Sequence, residues 1–181
     1  MACSFCCKGV KHSTSPAASK GMRKKPWNRV NLPVYSISSI NAAGKHNMHM
    51  ITYVTAISMQ PKRFVCGIYK GTQTLENVLH QRRFILQLLA SHQYNLTRIL
   101  GKTSGKNTDK IKYLQKKNLL DNWLDHLVLS EALSLMELEV VEQFDGGDHV
   151  GFLCDVKQFK NLQPGEPLTL DELREHRLII I

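Results

Sequence analysis

No acidic residue occurs in this 181-residue chain before Glu76, while 11 Lys and Arg do. Residues 76–181 carry 13 basic and 15 acidic side chains, so the net charge of +9 belongs entirely to the first 75 residues. A basic excess raises nucleic acid or a membrane surface as a partner. Seven of the 11 cations (Lys8, Lys11, Lys20, Arg23, Lys24, Lys25 and Arg29) precede residue 30, in a Ser- and Ala-rich stretch without apolar periodicity. That stretch, 1–29, reads as a flexible basic arm. The folded front half keeps only Lys45, Lys62, Arg63 and Lys70. Four cations are too few for a polyanion-binding face but enough to hold the phosphate of a small ligand, so a nucleotide, not a nucleic acid, is the expected partner.

Other absences narrow the class further. No apolar run nears the roughly 18–20 residues that span a bilayer, and the N-terminus lacks the apolar core of a secretory signal. A soluble, cytoplasmic protein without a membrane partner is expected. Cys3, Cys6 and Cys7 crowd the arm while Cys66 and Cys154 stand alone in apolar runs, which is no disulfide framework. The arm thiols have no fourth ligand nearby and no second-position glycine accompanies them, so neither metal nor lipid is expected there. The arm has two Arg and no amphipathic period, unlike a transit peptide; a start at Met22 would leave 1–21 as an extension. A Gly-x-Gly-x-x-Gly fingerprint, a Ser/His/Asp order, paired carboxylates and a Cys-His pair are all missing. The stretch from Gly101 to Asn107 imitates a P-loop but is one residue short between its glycines and has Asn107 where a Ser or Thr would meet magnesium.

What is present is 43% hydrophobic residues arranged mostly as short strands, enough for one core and one domain over 30–181. Residues 33–40 alternate apolar and small polar side chains and run into a turn at 41–44. Residues 48–57 are rich in β-branched side chains and apolar on both faces, which predicts a central buried strand. A third strand over 63–69 is followed at once by a polar turn and by Leu75, Val78 and Leu79 at helical spacing. Strands are also expected at 84–89, 135–144 and 149–159, the last two joined by the turn Asp145-Gly146-Gly147-Asp148, with a Lys-rich helix at 109–117. Few long helices separate these strands, so an antiparallel barrel with a few flanking helices is favoured over a parallel sheet.

The turn at 69–74 carries the clearest chemistry. Gly71 permits close backbone approach, Thr72 and Thr74 offer hydroxyls, Lys70 adds a cation, and the following helix presents unpaired N–H groups. Together these make a phosphate seat, although Thr72 is equally an N-cap and Lys70 equally a solvated charge. Period two sends Thr52 and Val54 to one face of their strand and Tyr53 and Thr55 to the other. His46 and His49, three apart, fall on opposite faces and do not form a metal pair. Ser104, Lys106 and Lys110 can bring donors to an anion, and His149 sits at the mouth of a hairpin as a polar contact.

These segments, in this order, resemble the flavin reductase-like family of FMN-binding split barrels over residues 27–156. The matching parts are the strand from Asn47 to Thr55, Pro61, the strand that ends in the turn from Lys70 to Asn77, the Ser104-Gly105 and Asp109-Lys110 element, and Gly147-Asp148-His149. The resemblance implies an antiparallel Greek-key split barrel. It implies that Thr52, Tyr53, Val54 and Thr55 line the flavin and that Tyr69, Lys70, Gly71, Thr72, Gln73 and Thr74, with Ser104 and Lys110, surround its phosphate arm. His149 would face the substrate side, with no certain catalytic residue. The implied activity is an NAD(P)H oxidoreductase using FMN, or FAD in its place, and passing electrons to an unidentified acceptor. The alternative is a flavoredoxin-like electron carrier, reduced by a partner protein, that does not itself oxidise NAD(P)H. A homodimer with the flavin near its interface is implied as well.

Overall fold

A computed structural model of the chain describes residues 25–180; the expectations for the arm up to residue 24 lie outside them. Nine strands and three α-helices follow one another: β1 (Tyr35–Ile40), β2 (His46–Ile51), β3 (Val54–Ser58), β4 (Arg63–Tyr69), α1 (Gln73–Gln81), β5 (Arg83–Leu88), α2 (Lys110–Lys116), β6 (Leu120–Trp123), β7 (His126–Leu129), β8 (Ser134–Gly146), β9 (His149–Asn161) and α3 (Leu170–Glu175). Seven strands form one antiparallel sheet in the order β2-β1-β5-β8-β9-β4-β3, and β6-β7 is a separate hairpin. Its two edge strands, β2 and β3, are consecutive in the chain and joined only by Thr52 and Tyr53. The edges must therefore meet at that corner, which rolls the sheet into a split barrel.

The single strand expected at 48–57 is thus two edge strands broken at Thr52–Tyr53, where the Tyr53 carbonyl accepts from Gly67 N at 2.7 Å. Apolar composition alone does not reveal the break, because β3 keeps apolar residues such as Ile57 although only its Val54 is buried. The strands buried on both faces are β1, through Ser36 to Ser39, and β5, where Phe84, Ile85 and Leu86 are fully enclosed. One face of the sheet packs Ile37, Ile68, Phe84 and Phe152 inside the barrel. The other packs Met48, Ile85, Leu89 and Leu135 under α2, the β6-β7 hairpin and the C-terminal segment. Neither that hairpin nor α3 was expected from the sequence.

Two features aim the barrel rim. The long β8-β9 hairpin runs past the sheet and turns back at Gly147, putting His149 opposite Tyr69 in the β4-β9 ladder. Gly71 then has φ +83, a left-handed conformation that side chains rarely adopt, and it turns the chain from β4 into α1. Thr72 caps that helix: its hydroxyl accepts from Leu75 N at 3.2 Å and donates to the Tyr69 carbonyl at 2.9 Å.

Candidate functional site

Three adjoining cavities lie along this rim. The first, about 430 Å³, is lined by Asn47, His49, Tyr69 to Thr74, Gly101 to Gly105 and Lys110. The second, about 430 Å³, is apolar, with Tyr53 and Phe144 among its walls and Val54, Val65, Gly67 and Gly151 below. A smaller one of about 170 Å³ shares His49 and Tyr69 with the first and Tyr53, Gly67 and His149 with the second, so the three make one cleft.

The polar end is built around the start of α1. The first N–H groups of a helix have no partner within it and carry partial positive charge. A buried polar network holds this helix end in place. Asn47 Nδ2 donates to Thr74 Oγ1 at 2.9 Å, Gln73 Nε2 to Asn77 Oδ1 at 2.9 Å, and Asn77 Nδ2 to Ser39 Oγ at 3.0 Å. The loop at 101–107 closes the other side, pinned by Lys106 on Glu76 at 2.6 Å. Gly105 lies against Asn47 so closely that a Cβ would fall 2.2 Å from its Oδ1.

The cations differ in availability. Lys70 Nζ donates to Asp145 Oδ1 at 2.6 Å. Lys110, 3% exposed, has a single partner, the Leu100 carbonyl at 3.0 Å, and no carboxylate among the described residues. Burial pulls its amine down to about 8. An enclosed ammonium without a counter-charge is costly unless an anion arrives, which fits a phosphate-bearing ligand. His49 carries a second unpaid requirement: its Nδ1 is buried without a partner. Burial first, then Lys110 and His149, pull its imidazole down to about 4, so it is neutral at pH 7.

At the ring end, the His149 ring is held edge-on by Tyr53 at 4.9 Å and Tyr69 at 5.2 Å. Its Nδ1 pairs with Asp148 Oδ1 at 2.6 Å. The floor beside it is made by Gly67 and Gly151, partners in the β4-β9 ladder. A Cβ on Gly67 would sit 3.1 Å from Tyr53 Cβ, and one on Gly151 would enter the Phe144 ring. The absence of side chains there gives the slot a flat floor with an aromatic ring lying on it. No Lys or Arg lines the slot and its one carboxylate is Asp148, so it offers an anionic ligand group no counter-charge and suits an apolar planar group.

Every site residue expected from the sequence lies on this cleft. Thr52, Tyr53, Val54, Thr55 and His149 gather at the ring end, and Tyr69, Lys70, Gly71, Thr72, Gln73, Thr74, Ser104 and Lys110 at the polar end. Their hydroxyls are less free than expected: Thr72 caps α1, and Thr74, 1% exposed, is engaged by Asn47. Sequence reasoning missed Asn47, Phe144, Gly67 and Gly151, and gave His49 no role. Asn47 and His49, two apart on β2, share a face. Among the described residues, no three His, Cys, Asp or Glu are grouped as a metal site, and no helix is long and apolar enough to cross a membrane.

The rolled antiparallel sheet with a few flanking helices has the architecture of the FMN-binding split barrels. The flavin reductase like domain matches residues 27–176, and the chain belongs to that family. Solved structures share the fold. The styrene monooxygenase flavin reductase of Pseudomonas putida S12 is 19% identical, with a TM-score of 0.66, over 80% of this chain and 89% of its own. An FMN-binding protein from Thermus thermophilus, with bound 1-cyclohex-2-enone, is 21% identical, with a TM-score of 0.68, over 85% and 86%. The chain spans 48% of a longer Sinorhizobium meliloti 1021 protein, at 18% identity and a TM-score of 0.69 over 79% of this chain. No curated protein matches the sequence.

Proposed function

We propose that this protein is an NAD(P)H-dependent oxidoreductase of the flavin reductase type, with FMN as its flavin. The observation that carries the reading is the pairing of a buried Lys110, without a carboxylate partner among the described residues, with a mainly apolar slot on the same cleft. Lys110 and the first N–H groups of α1 would hold the phosphate, and Tyr53, Val54 and Phe144, seated on the glycines, would take the ring. The flavin, once bound, supplies the two-electron chemistry with a reduced nicotinamide as donor. The protein binds and orients it, and the Tyr53–His149–Tyr69 cluster limits water at the ring end. His149, locked by Asp148, is a positioning group on the substrate side.

The ring end opens beside exposed apolar residues, Tyr53 (61%), Ile57 (54%) and Phe144 (47%). Such a patch supports a two-fold dimer that buries this rim, with sedimentation of the purified protein as its test. The activity is tested by looking for a bound yellow chromophore and adding NADH and NADPH separately without oxygen. Bleaching by either supports the oxidoreductase. A flavin that resists both turns the reading to an electron carrier reduced by a partner protein, and failure to take up any flavin ends it.

A further inference from the structure

We infer that His49 reads the polyhydroxyl chain linking the phosphate and ring of the flavin, so that it selects for a sugar-bearing flavin independently of phosphate. The inference rests on the flavin reading above and adds a residue that the reading does not use. His49 lies where the polar cavity and the small connecting cavity meet, lining both. A ligand whose anion sits at α1 and whose ring lies between Tyr53 and Phe144 must pass this junction with its middle. In a flavin mononucleotide that middle is a chain of hydroxyls.

The ring chemistry of His49 suits such a partner. Nδ1 is enclosed without a hydrogen bond. A bare buried acceptor is tolerated better than an orphaned N–H, so the proton belongs on Nε2, at the ring edge left to the cavities. The imidazole, held neutral by burial and by Lys110 nearby, stays a donor without charge across the physiological range. A neutral donor gains little from a phosphate compared with Lys110, but it pairs well with a hydroxyl. The residue has no structural partner to explain its place: neither ring nitrogen meets a hydrogen-bonding group among the described residues. Its β2 neighbours Met48 and Met50 face the core, and Asn47 braces α1.

The test titrates flavin-free protein with FMN, riboflavin and lumiflavin, which lacks the sugar chain, following the quenching of flavin fluorescence. His49→Leu should weaken FMN and riboflavin by the same factor, roughly three- to tenfold as one neutral hydrogen bond supplies, and leave lumiflavin unchanged. His49→Gln keeps an amide donor and should recover most of that loss. The melting temperature of flavin-free His49→Leu should equal or exceed that of the wild type, because an unsatisfied buried nitrogen is removed, which marks the histidine as kept for ligand. Loss confined to FMN would assign His49 to the phosphate, equal loss of lumiflavin would assign it to the ring, and no loss would leave it without a ligand role; each overturns the inference while the flavin reading stands. A wild-type chain that binds none of the three overturns both.

Discussion

Lys70 Nζ donates to Asp145 Oδ1 at 2.6 Å, joining the end of β4 to the β8-β9 turn. The contact holds the Asp145 carboxyl below its usual range, first through the hydrogen bond and then through the charge of Lys70, with Gly147 N–H adding to both. The Lys70 backbone N–H also donates to the Asp148 carbonyl at 3.0 Å. Lys70 therefore links two strands in this structure, whereas Lys110 reaches the same cavity with no carboxylate partner among the described residues. Lys110→Met should weaken FMN about ten- to a hundredfold, the range of a charge-assisted bond to phosphate, and leave riboflavin within about twofold. Lys70→Ala should cost FMN less than about threefold. Equal FMN losses in the two variants would return Lys70 to the phosphate.

The lowered amine of Lys110 gives that affinity a pH dependence. In the flavin-free protein the side chain loses its proton around pH 8, and a bound phosphate favours the charged form. FMN affinity should therefore hold from pH 7 to about 8 and fall above it, with proton uptake on binding near pH 8–9. Riboflavin should show no such fall, and Lys110→Met should flatten the FMN curve. Isothermal titration in buffers of different ionisation enthalpy reads the proton count directly. Absence of uptake would mean that Lys110 is not the phosphate partner.

His49 carries a linkage of the opposite kind, in stability. Its folded value of about 4 lies below the ordinary 6.5, so the unfolded chain binds the proton first. Stability should be unaffected by this residue above pH 7, fall as pH drops from about 6.5 to 4, and change no further below that. Melting curves of wild type and His49→Leu should diverge across that window and run parallel at higher pH.

The turn from β4 into α1 was legible because three local signals coincide within six residues: the end of an alternating strand, a glycine that can take φ +83, and a Thr three residues before a helical Leu. Such signals depend on near neighbours, and sequence preserves them. The break at Thr52–Tyr53 was not legible, because its cause is a bond from Gly67 and the glycine floor that lets Tyr53 come close. The roles of Lys70 and Lys110 were not separable for the same reason. Asp145 lies 75 residues from Lys70, and the burial of Lys110 depends on Leu100 and the loop that covers it. Lys110 shows no special pattern in its own segment.

Gly151 and Phe144, cross-strand partners in the β8-β9 ladder, make a second long-range dependence that can be tested. Gly151→Ala puts a methyl where the Phe144 ring lies, and the half-exposed ring can swing away with little loss to the core. The variant should fold, with a melting temperature within a few degrees of wild type, yet bind lumiflavin and FMN several-fold more weakly because the flat slot is spoiled. Phe144→Ala in the same background should add little to that loss. If Gly151→Ala bound lumiflavin as wild type does, the slot would not be the ring site.

The last prediction concerns Thr74, whose hydroxyl accepts a bond in the polar network and keeps a proton to donate. In the structure Oγ1 accepts from Asn47 Nδ2 at 2.9 Å in a buried site. Thr74→Val keeps the shape and strands the Asn47 donor, a loss of about 1–3 kcal/mol. For a chain of this size that is a fall in melting temperature of about 3–10 °C, and Thr74→Ser should restore most of it. FMN affinity at a temperature where the variant is folded should stay within about threefold if the backbone N–H groups of α1, and not this hydroxyl, hold the phosphate. A tenfold loss of FMN would show that the Thr74 hydroxyl, while accepting from Asn47, also donates its proton to the phosphate.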